Sequence, residues 1–428
     1  MRIGIIYDDI NRDGLDCSQP NKGNPGVGGT QYCYLMLLYF YTIYFPNDSI
    51  IVYRHRKSDQ LSHMPHENII KYVMTDGLKE CVDRAAEDNV DFLLFTHGHL
   101  LEICTYLEDH NIKGIVWVHN WIRGEYLKAV TKSPMIVRVV FLGQEHYDRY
   151  IDHEIIKKAV VIPNMFNIDG YPARTAIENH NVTYVGAIVP EKGFHALAEA
   201  WPKVIKSIPD ANLYVIGQGN LYGKDIEVGP LGIADAKYEK RFIMFVTDNG
   251  GNVLPSVHFL GLLGSEKIDY YLKTSVGIVN PTGVTEVCPI SALEMEAAAI
   301  PVISKKFNGL PDVVTDGCTG VLIKKQKQLA KAIIKLLSDT KKNETMGQMG
   351  RAYVQSTFSP EKIVGLWNDM FLDIINSSTP VLLKPHSNFG NNFKWIRIMN
   401  SKIKKMPLLK SLPALIDVEG KVRTIIRR

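Results

Sequence analysis

Short apolar runs, each closed by turn residues, recur along the whole chain. Arg2–Tyr7 is a continuous apolar stretch bounded by Asp8-Asp9, the pattern of a central parallel strand. Ile50–Tyr53, Phe92–Thr96, Gly114–His119 and Ile136–Leu142 read as further strands in the first half. Val182–Gly186, Asn212–Gly219, Val257–Gly261, Val276–Val279 and Ile300–Ser304 repeat the pattern in the second. Helical stretches separate them at Glu80–Asn89, Glu102–His110 and Ser265–Thr274, and Gln328–Asp339 and Glu361–Asn376 follow with helical periodicity. Strands alternating with helices predict parallel sheets of the α/β class. Residues 220–255 are polar and glycine-rich, and are expected to form an irregular loop.

Composition adds bounds rather than a function. The 428 residues are enough for two domains, and 46% hydrophobic with 22% charged content is ordinary for a globular protein. Net charge is only +4, but residues 382–428 hold eleven Lys and Arg against Asp417 and Glu419, a net of +9 that leaves −5 for the rest. A near-neutral body with a basic end predicts an anionic partner for that end. The interleaved Phe393, Trp395, Ile396, Ile398, Leu408 and Leu409 predict an anionic membrane surface, with partial packing on the first domain as the alternative. Nucleic acid is not among the expected partners. Cysteines 17, 33, 81, 104, 288 and 318 form no Cys-x-x-Cys pair and no His/Cys ligand pattern, which favours reduced thiols in a cytoplasmic protein. MRIGIIYDD has no signal-peptide pattern. The apolar run Tyr34–Phe45 is too short to span a bilayer.

Candidate chemistry gathers in Thr285–Leu310, TEVCPISALEMEAAAIPVISKKFNGL. Glu286 and Glu294 stand eight residues apart, one before a helix beginning near Cys288-Pro289 and one on its second turn. The helix start offers free amides and a positive dipole end to a phosphate. A carboxylate on either side suits hydroxyls, because it accepts hydrogen bonds and donates none. The same spacing also fits a surface helix with two solvated glutamates. Near the N-terminus, Gly26-Val27-Gly28-Gly29-Thr30 lies between the first strand and a helix, a place where a backbone can approach a phosphate. His97, His99 and His119 sit at strand ends, where open α/β sheets bind ligands. Gly217-x-Gly219 with Gly223 lacks the full dinucleotide spacing and reads as a turn that admits a nucleotide base.

In order along the chain, these motifs resemble the retaining GT-B glycosyltransferases of the large Glu-x7-Glu family, which includes bacterial polysaccharide and mannosyl transferases and sucrose synthases. The resemblance covers about residues 1–376. It implies two Rossmann-like domains facing each other across a cleft. The expected divisions are an acceptor-side domain at 1–165 and a nucleotide-sugar domain at 180–358. A returning helix at 359–378 and the basic amphipathic tail at 379–428 follow. It also implies that Gly28, Gly29 and Thr30 face the donor's sugar-diphosphate, and that His119 lies near the anomeric centre. Gly186 and Lys192 fall in VTYVGAIVPEKGF, where the family's lysine holds the diphosphate. Glu286 would meet the donor sugar and Glu294 the ribose. Two departures stand out. The family's arginine is Ala187 here, with Lys305 or Arg241 as substitutes. Its Phe-Gly is Cys288-Pro289, which passes phosphate binding to the amides of Ile290 and Ser291. Asn308–Asp312 and Asp316–Leu322 resemble the family's closing loops.

The function this implies is transfer of a sugar from a UDP- or GDP-sugar to a hydroxyl acceptor with retention. Catalysis would fall to His119, Glu286 and Lys192. The acceptor would be a saccharide, or a lipid-linked saccharide at the inner face of the membrane. No metal and no cofactor are expected, and no Asp-x-Asp occurs in the chain. The alternatives are a nucleotide-sugar 2-epimerase and a non-catalytic sugar- or nucleotide-binding subunit.

Overall fold

The computed structural model describes residues 1–8, 15–55, 63–175, 179–219 and 227–426, with side chains through Val422. Asp9 and Gly223, named above, lie outside the described residues, as do 220–226 of the expected loop.

The chain divides into two compact units, residues 1–165 with 360–428, and residues 166–359. In the first unit, seven parallel strands form one sheet: β1 (Arg2–Asp8), β2 (Ser49–His55), β3 (Lys71–Thr75), β4 (Phe92–Thr96), β5 (Gly114–Val118), β6 (Ile136–Phe141) and β7 (Ala159–Val161). Their order is β3-β2-β1-β4-β5-β6-β7. In the second, six parallel strands form β10-β9-β8-β11-β12-β13. These are β8 (Asn181–Val185), β9 (Asn212–Ile216), β10 (Val257–Gly261), β11 (Val276–Ile278), β12 (Val302–Lys305) and β13 (Gly320–Ile323). Each order begins at a middle strand, winds outward and then reverses. That is the doubly wound Rossmann pattern, whose reversal point opens a crevice at the carboxyl ends of the strands. β4 and β5 are buried along their full length, which explains their unbroken apolar runs.

The expected α/β class with two Rossmann-like sheets is what the structure has. It differs from the sequence reading at several elements. β3 and β13 are edge strands that the apolar pattern did not reveal. Part of the loop expected over 220–255 is helical, at Ala236–Glu239 and Ile243–Val246, and Tyr238, Phe242 and Val246 join the core of the second unit. An unforeseen 18-residue helix, Thr340–Thr357, packs on the helix Ile290–Ala297. Its glycines are the reason it escaped notice and the reason it fits. A Cβ at Gly347 would stand 2.0 Å from the carbonyl oxygen of Ala299.

In the first unit, the helix Pro360–Ile375 lies against the helix Gly29–Tyr44. Trp367 meets Trp117 edge-on at 4.7 Å, and Phe371 stacks on Phe92 at 4.7 Å. Beyond it, the basic end of the chain corrects the picture of a surface tail. Lys394 is 1% exposed, with its ammonium 2.8 Å from Glu145 and 2.5 Å from Asp148, both fully buried carboxylates. Arg397 is 0% exposed, donates to the Arg149 and Asn392 carbonyls and pairs with Glu419. Asp152 accepts from the Leu415 amide and the Asn400 side chain. Two of the cations assigned to an anionic partner are thus internal, because the first unit buries three acids for them to meet. Lys402, Lys405 and Lys410 stay exposed, alongside Phe393, Trp395, Met399 and Leu408. Among the described residues, no helix is long and apolar enough to cross a membrane.

Removing one partner of a buried ion pair strands the other charge. Lys394→Ala should therefore destabilise the first unit by about 3–5 kcal/mol. Lys405→Ala, on the exposed side, should stay within about 0.5 kcal/mol of wild type. Denaturant unfolding of the two variants checks the contrast.

Candidate active site

In the second unit the first strand, β8, runs into Gly186 and then a single turn, Pro190–Lys192. The Tyr184 hydroxyl donates to the carbonyls of Ala187 and Lys192 and fixes this turn. Gly217, at the end of β9, has φ +140°, and a Cβ there would stand 2.0 Å from the Gly186 carbonyl oxygen. Two strand ends thereby approach backbone to backbone, which only glycine allows.

Lys192 and Glu286 are far apart in sequence, yet their side chains meet. The Lys192 ammonium is 2.6 Å from Glu286 Oε1. Asn280, just past β11, donates to the same oxygen at 2.8 Å and to the Val284 carbonyl. Glu286 is 6% exposed, so a solvated surface glutamate is excluded. The preceding residue, Thr285, has φ +66°, a left-handed conformation rare for a β-branched residue. Strain of this kind persists where the surroundings over-determine a conformation, as at binding sites.

Pro289 proves to be the cap rather than the first residue of the helix Ile290–Ala297. Ile290 and Ser291 form its first turn, whose amides have no intrahelical acceptor by position. Glu294, on the second turn, is 5% exposed. Its carboxylate accepts from Lys267 at 2.5 Å, from the Tyr171 hydroxyl at 2.9 Å and from the Tyr271 hydroxyl at 2.9 Å. Three of about four acceptor positions are thus filled by the protein itself. Glu296, two residues on, is fully buried. One of its oxygens accepts from Thr319 at 2.7 Å, and the other has no partner among the described residues. Burial holds this carboxyl well above the usual range and so favours its protonated form.

The remaining candidates lie elsewhere. Ala187, where the resemblance expects an arginine, is buried. Lys305 ends β12 with its stem against Gly283, and burial lowers its ammonium. Arg241 stacks on Tyr238. Gly28 caps the helix Gly29–Tyr44, and Thr30 stands in its first turn, within the first unit. His119 also belongs to the first unit, with its ring 4.5 Å from Trp117 and 6.2 Å from Tyr34. Burial pushes it down to about 3, so it is neutral in the physiological range. Its buried Nε2 has no partner among the described residues. An imidazole so held can exchange a hydrogen bond with a ligand without carrying charge. His97 is likewise lowered by burial, whereas His99 is tied to Asp8 and His55.

Sequence reasoning did not name Lys267, Tyr171, Tyr271, Asn280 or Glu296. For Asn280 a signal exists in Asn280-Pro-Thr-Gly, a turn pattern directly after a strand. The partners of Glu294 come from two other segments and carry no local signal.

Known proteins can now be set beside this geometry. Residues 174–353 match the family described as Glycosyl transferases group 1. An uncharacterized glycosyltransferase, MJ1178, of Methanocaldococcus jannaschii is 28% identical over 255 residues, 57% of this chain and 62% of that protein. The capsular polysaccharide biosynthesis glycosyltransferase CapM of Staphylococcus aureus is 30% identical over 195 residues, 45% of each chain. The matches thus span about half the length of these relatives. Among solved structures, Anabaena HepE in complex with UDP and glucose aligns with a TM-score of 0.64 at 16% identity, over 87% of this chain and all of that one.

Glu296 provides a test of the site's interior. An unfolded glutamic acid ionises near 4.5, whereas the native one keeps its proton to higher pH. The native state then binds more protons, so stability falls as pH rises above that value. Glu296→Gln removes this penalty. Its stability relative to wild type should grow above pH 4.5, by up to about 1.4 kcal/mol per pH unit. Thermal unfolding of both proteins at pH 5 and pH 8 measures the difference. Residues 174–353, within the second unit, thus resemble the family Glycosyl transferases group 1, and the fold is similar to that of solved GT-B structures.

Proposed function

We propose that this chain is a retaining glycosyltransferase that moves a sugar from a UDP- or GDP-sugar to a hydroxyl acceptor. The observation that carries the reading is the meeting of Lys192 with Glu286 at 2.6 Å, where β8 and β11 end and the helix Ile290–Ala297 begins. A cation, helix amides and a carboxylate are the groups needed to hold a diphosphate and a sugar hydroxyl side by side. The UDP and glucose in the Anabaena HepE structure support a donor of this class. On binding, the diphosphate would take Lys192 from Glu286, and the released carboxylate would accept from the donor sugar. Charge developing on the leaving diphosphate is stabilised by Lys192 and the amides of Ile290 and Ser291. The diphosphate takes the acceptor's proton, so no protein carboxylate attacks the sugar and no metal ion is required. Glu294 keeps one acceptor position for a ribose hydroxyl.

For the acceptor we infer a lipid-linked saccharide in surface-polysaccharide assembly at the inner face of the membrane. CapM's role in capsular polysaccharide biosynthesis supports this. So does the exposed set Phe393, Trp395, Met399 and Leu408 beside Lys402, Lys405 and Lys410. One specific observation favours a second reading, a non-catalytic nucleotide-binding subunit. Ala187 is buried, which leaves the diphosphate one cation short of the family's pair.

Donor hydrolysis by purified protein separates the two readings. A charge-assisted hydrogen bond contributes roughly 1.5–3 kcal/mol, so Lys192→Ala should lower donor affinity or rate about 10- to 100-fold. A change below about twofold removes Lys192 from the site. Glu294→Gln keeps the side chain's volume and should weaken UDP or GDP binding in calorimetry, while Glu286→Gln should reduce turnover more than nucleotide affinity. EDTA should leave hydrolysis intact, and rescue solely by Mg²⁺ or Mn²⁺ would contradict the metal-free chemistry.

Membrane attachment needs a test other than truncation, because deleting residues 382–428 strips the buried partners from Glu145 and Asp148. The triple variant Phe393→Ser, Trp395→Ser, Leu408→Ser should instead lose co-sedimentation with anionic liposomes that wild type shows at low salt. Failure of wild type to co-sediment refutes the surface.

A further inference from the structure

Asp8 ends β1, and His55 ends the neighbouring β2 directly opposite it in the ladder. On the other side of β1, β4 leads into a short turn, His97–His99. The three strand ends bring Asp8, His55 and His99 together although His99 lies 91 residues from Asp8 and 44 from His55. Both histidine Nε2 atoms are 2.5 Å from the same oxygen, Asp8 Oδ1, and 3.1 Å from each other.

Hydrogen bonding accounts for this triangle only when both Nε2 atoms carry hydrogen. An imidazole nitrogen presents one hydrogen or one lone pair, along the axis of its ring. If both Nε2 atoms carry hydrogen, both donate to one oxygen and their N–H dipoles lie side by side. If either lacks hydrogen, its lone pair faces the carboxylate at 2.5 Å. A dication among the three atoms accepts a lone pair from each. Around tetrahedral zinc, with bonds of about 2.0–2.1 Å, ligand atoms stand about 3.3 Å apart. The two nitrogens are already near that spacing, and the carboxylate needs to withdraw by less than about 1 Å. Two imidazoles and one carboxylate suit a transition metal, whereas Mg²⁺ and Ca²⁺ prefer all-oxygen sets.

We propose that Asp8, His55 and His99 form a binding site for a divalent transition metal of the zinc class, with a fourth position open to water. The ion ties together the carboxyl ends of β2, β1 and β4, the middle of the first unit's sheet. Its ligands belong to the first unit, whereas Lys192, Glu286 and Glu294 belong to the second.

The full chain, purified, stripped with a chelator and dialysed, is titrated with ZnCl₂ and separately with CoCl₂. The expected results are one bound ion per chain, a Tm that rises with zinc concentration as mass action requires, and a cobalt absorption band of a four-coordinate N/O site. His99→Gln should weaken zinc binding by at least about tenfold and abolish the cobalt band. Wild type that binds no zinc and shows no Tm shift overturns the proposal, whatever the variants do. Zinc binding that His99→Gln leaves unchanged overturns it as well, by placing the ion at other histidines. Neither readout depends on transfer activity, so a negative result here leaves the donor site untouched.

Discussion

A carboxylate taken out of water must be paired, hydrogen-bonded or protonated, because an isolated buried charge costs more than a fold of marginal stability can absorb. That constraint shapes both units. In the second, three glutamates within eleven residues meet it in three ways. Glu286 takes a lysine and an amide, Glu294 takes a lysine and two tyrosines, and burial drives Glu296 towards its protonated form. In the first unit, Glu145 and Asp148 take Lys394 from the far end of the chain. Desolvation opposes the charged form of Asp8, yet hydrogen bonds from His55 and His99 hold its carboxyl well below the usual range. The acids fix which distant segments must come together. Pairing is therefore a structural instruction as much as a chemical one.

The sheets were legible in the sequence because a strand flanked on both sides has no polar face. Phe92–Thr96 coincides with the observed strand for that reason, and Gly114–His119 exceeds its strand by one residue. The missed strands have one neighbour each. Lys71–Thr75 mixes Lys, Tyr and Thr and is mostly half-buried, so no period marks it. Thr340–Thr357 shows the opposite failure. Its glycines argue against a helix by propensity, but close packing on Ala299 requires Gly347. Tertiary fit overrode local preference, and no local rule predicts that.

The site was legible where chemistry is written locally. Glu286, Glu294 and the helix start were named from one stretch and Lys192 from the family resemblance, and the structure joins Lys192 to Glu286. Illegible was everything assembled across strands. Lys267, Tyr171 and Tyr271 reach Glu294 from two separate segments, and Asp8, His55 and His99 meet through sheet register alone. The basic end misled for a related reason. Net charge counts Lys394 and Arg397 as available, while burial removes them from the surface.

The resting pairs also bear on how a donor would be held with Ala187 in place of an arginine. Lys192 with Glu286 and Lys267 with Glu294 are each neutral as pairs, so the pocket presents little net charge to a diphosphate. An incoming anion must then compete with a carboxylate for Lys192 rather than meet a free cation. With Glu286 buried and Lys192 partly exposed, exchange favours a ligand that compensates both partners at once, because an unpaired buried carboxylate is costly. On the proposed reading a nucleotide-sugar would do this, its diphosphate replacing Glu286 at Lys192 and its sugar hydroxyls replacing Lys192 at Glu286. Inorganic phosphate or a free sugar compensates only one. On that reading the pairing of Lys192 with Glu286 would make binding selective for the intact donor, and the missing arginine would sharpen that selectivity by removing a cation that any phosphate would satisfy.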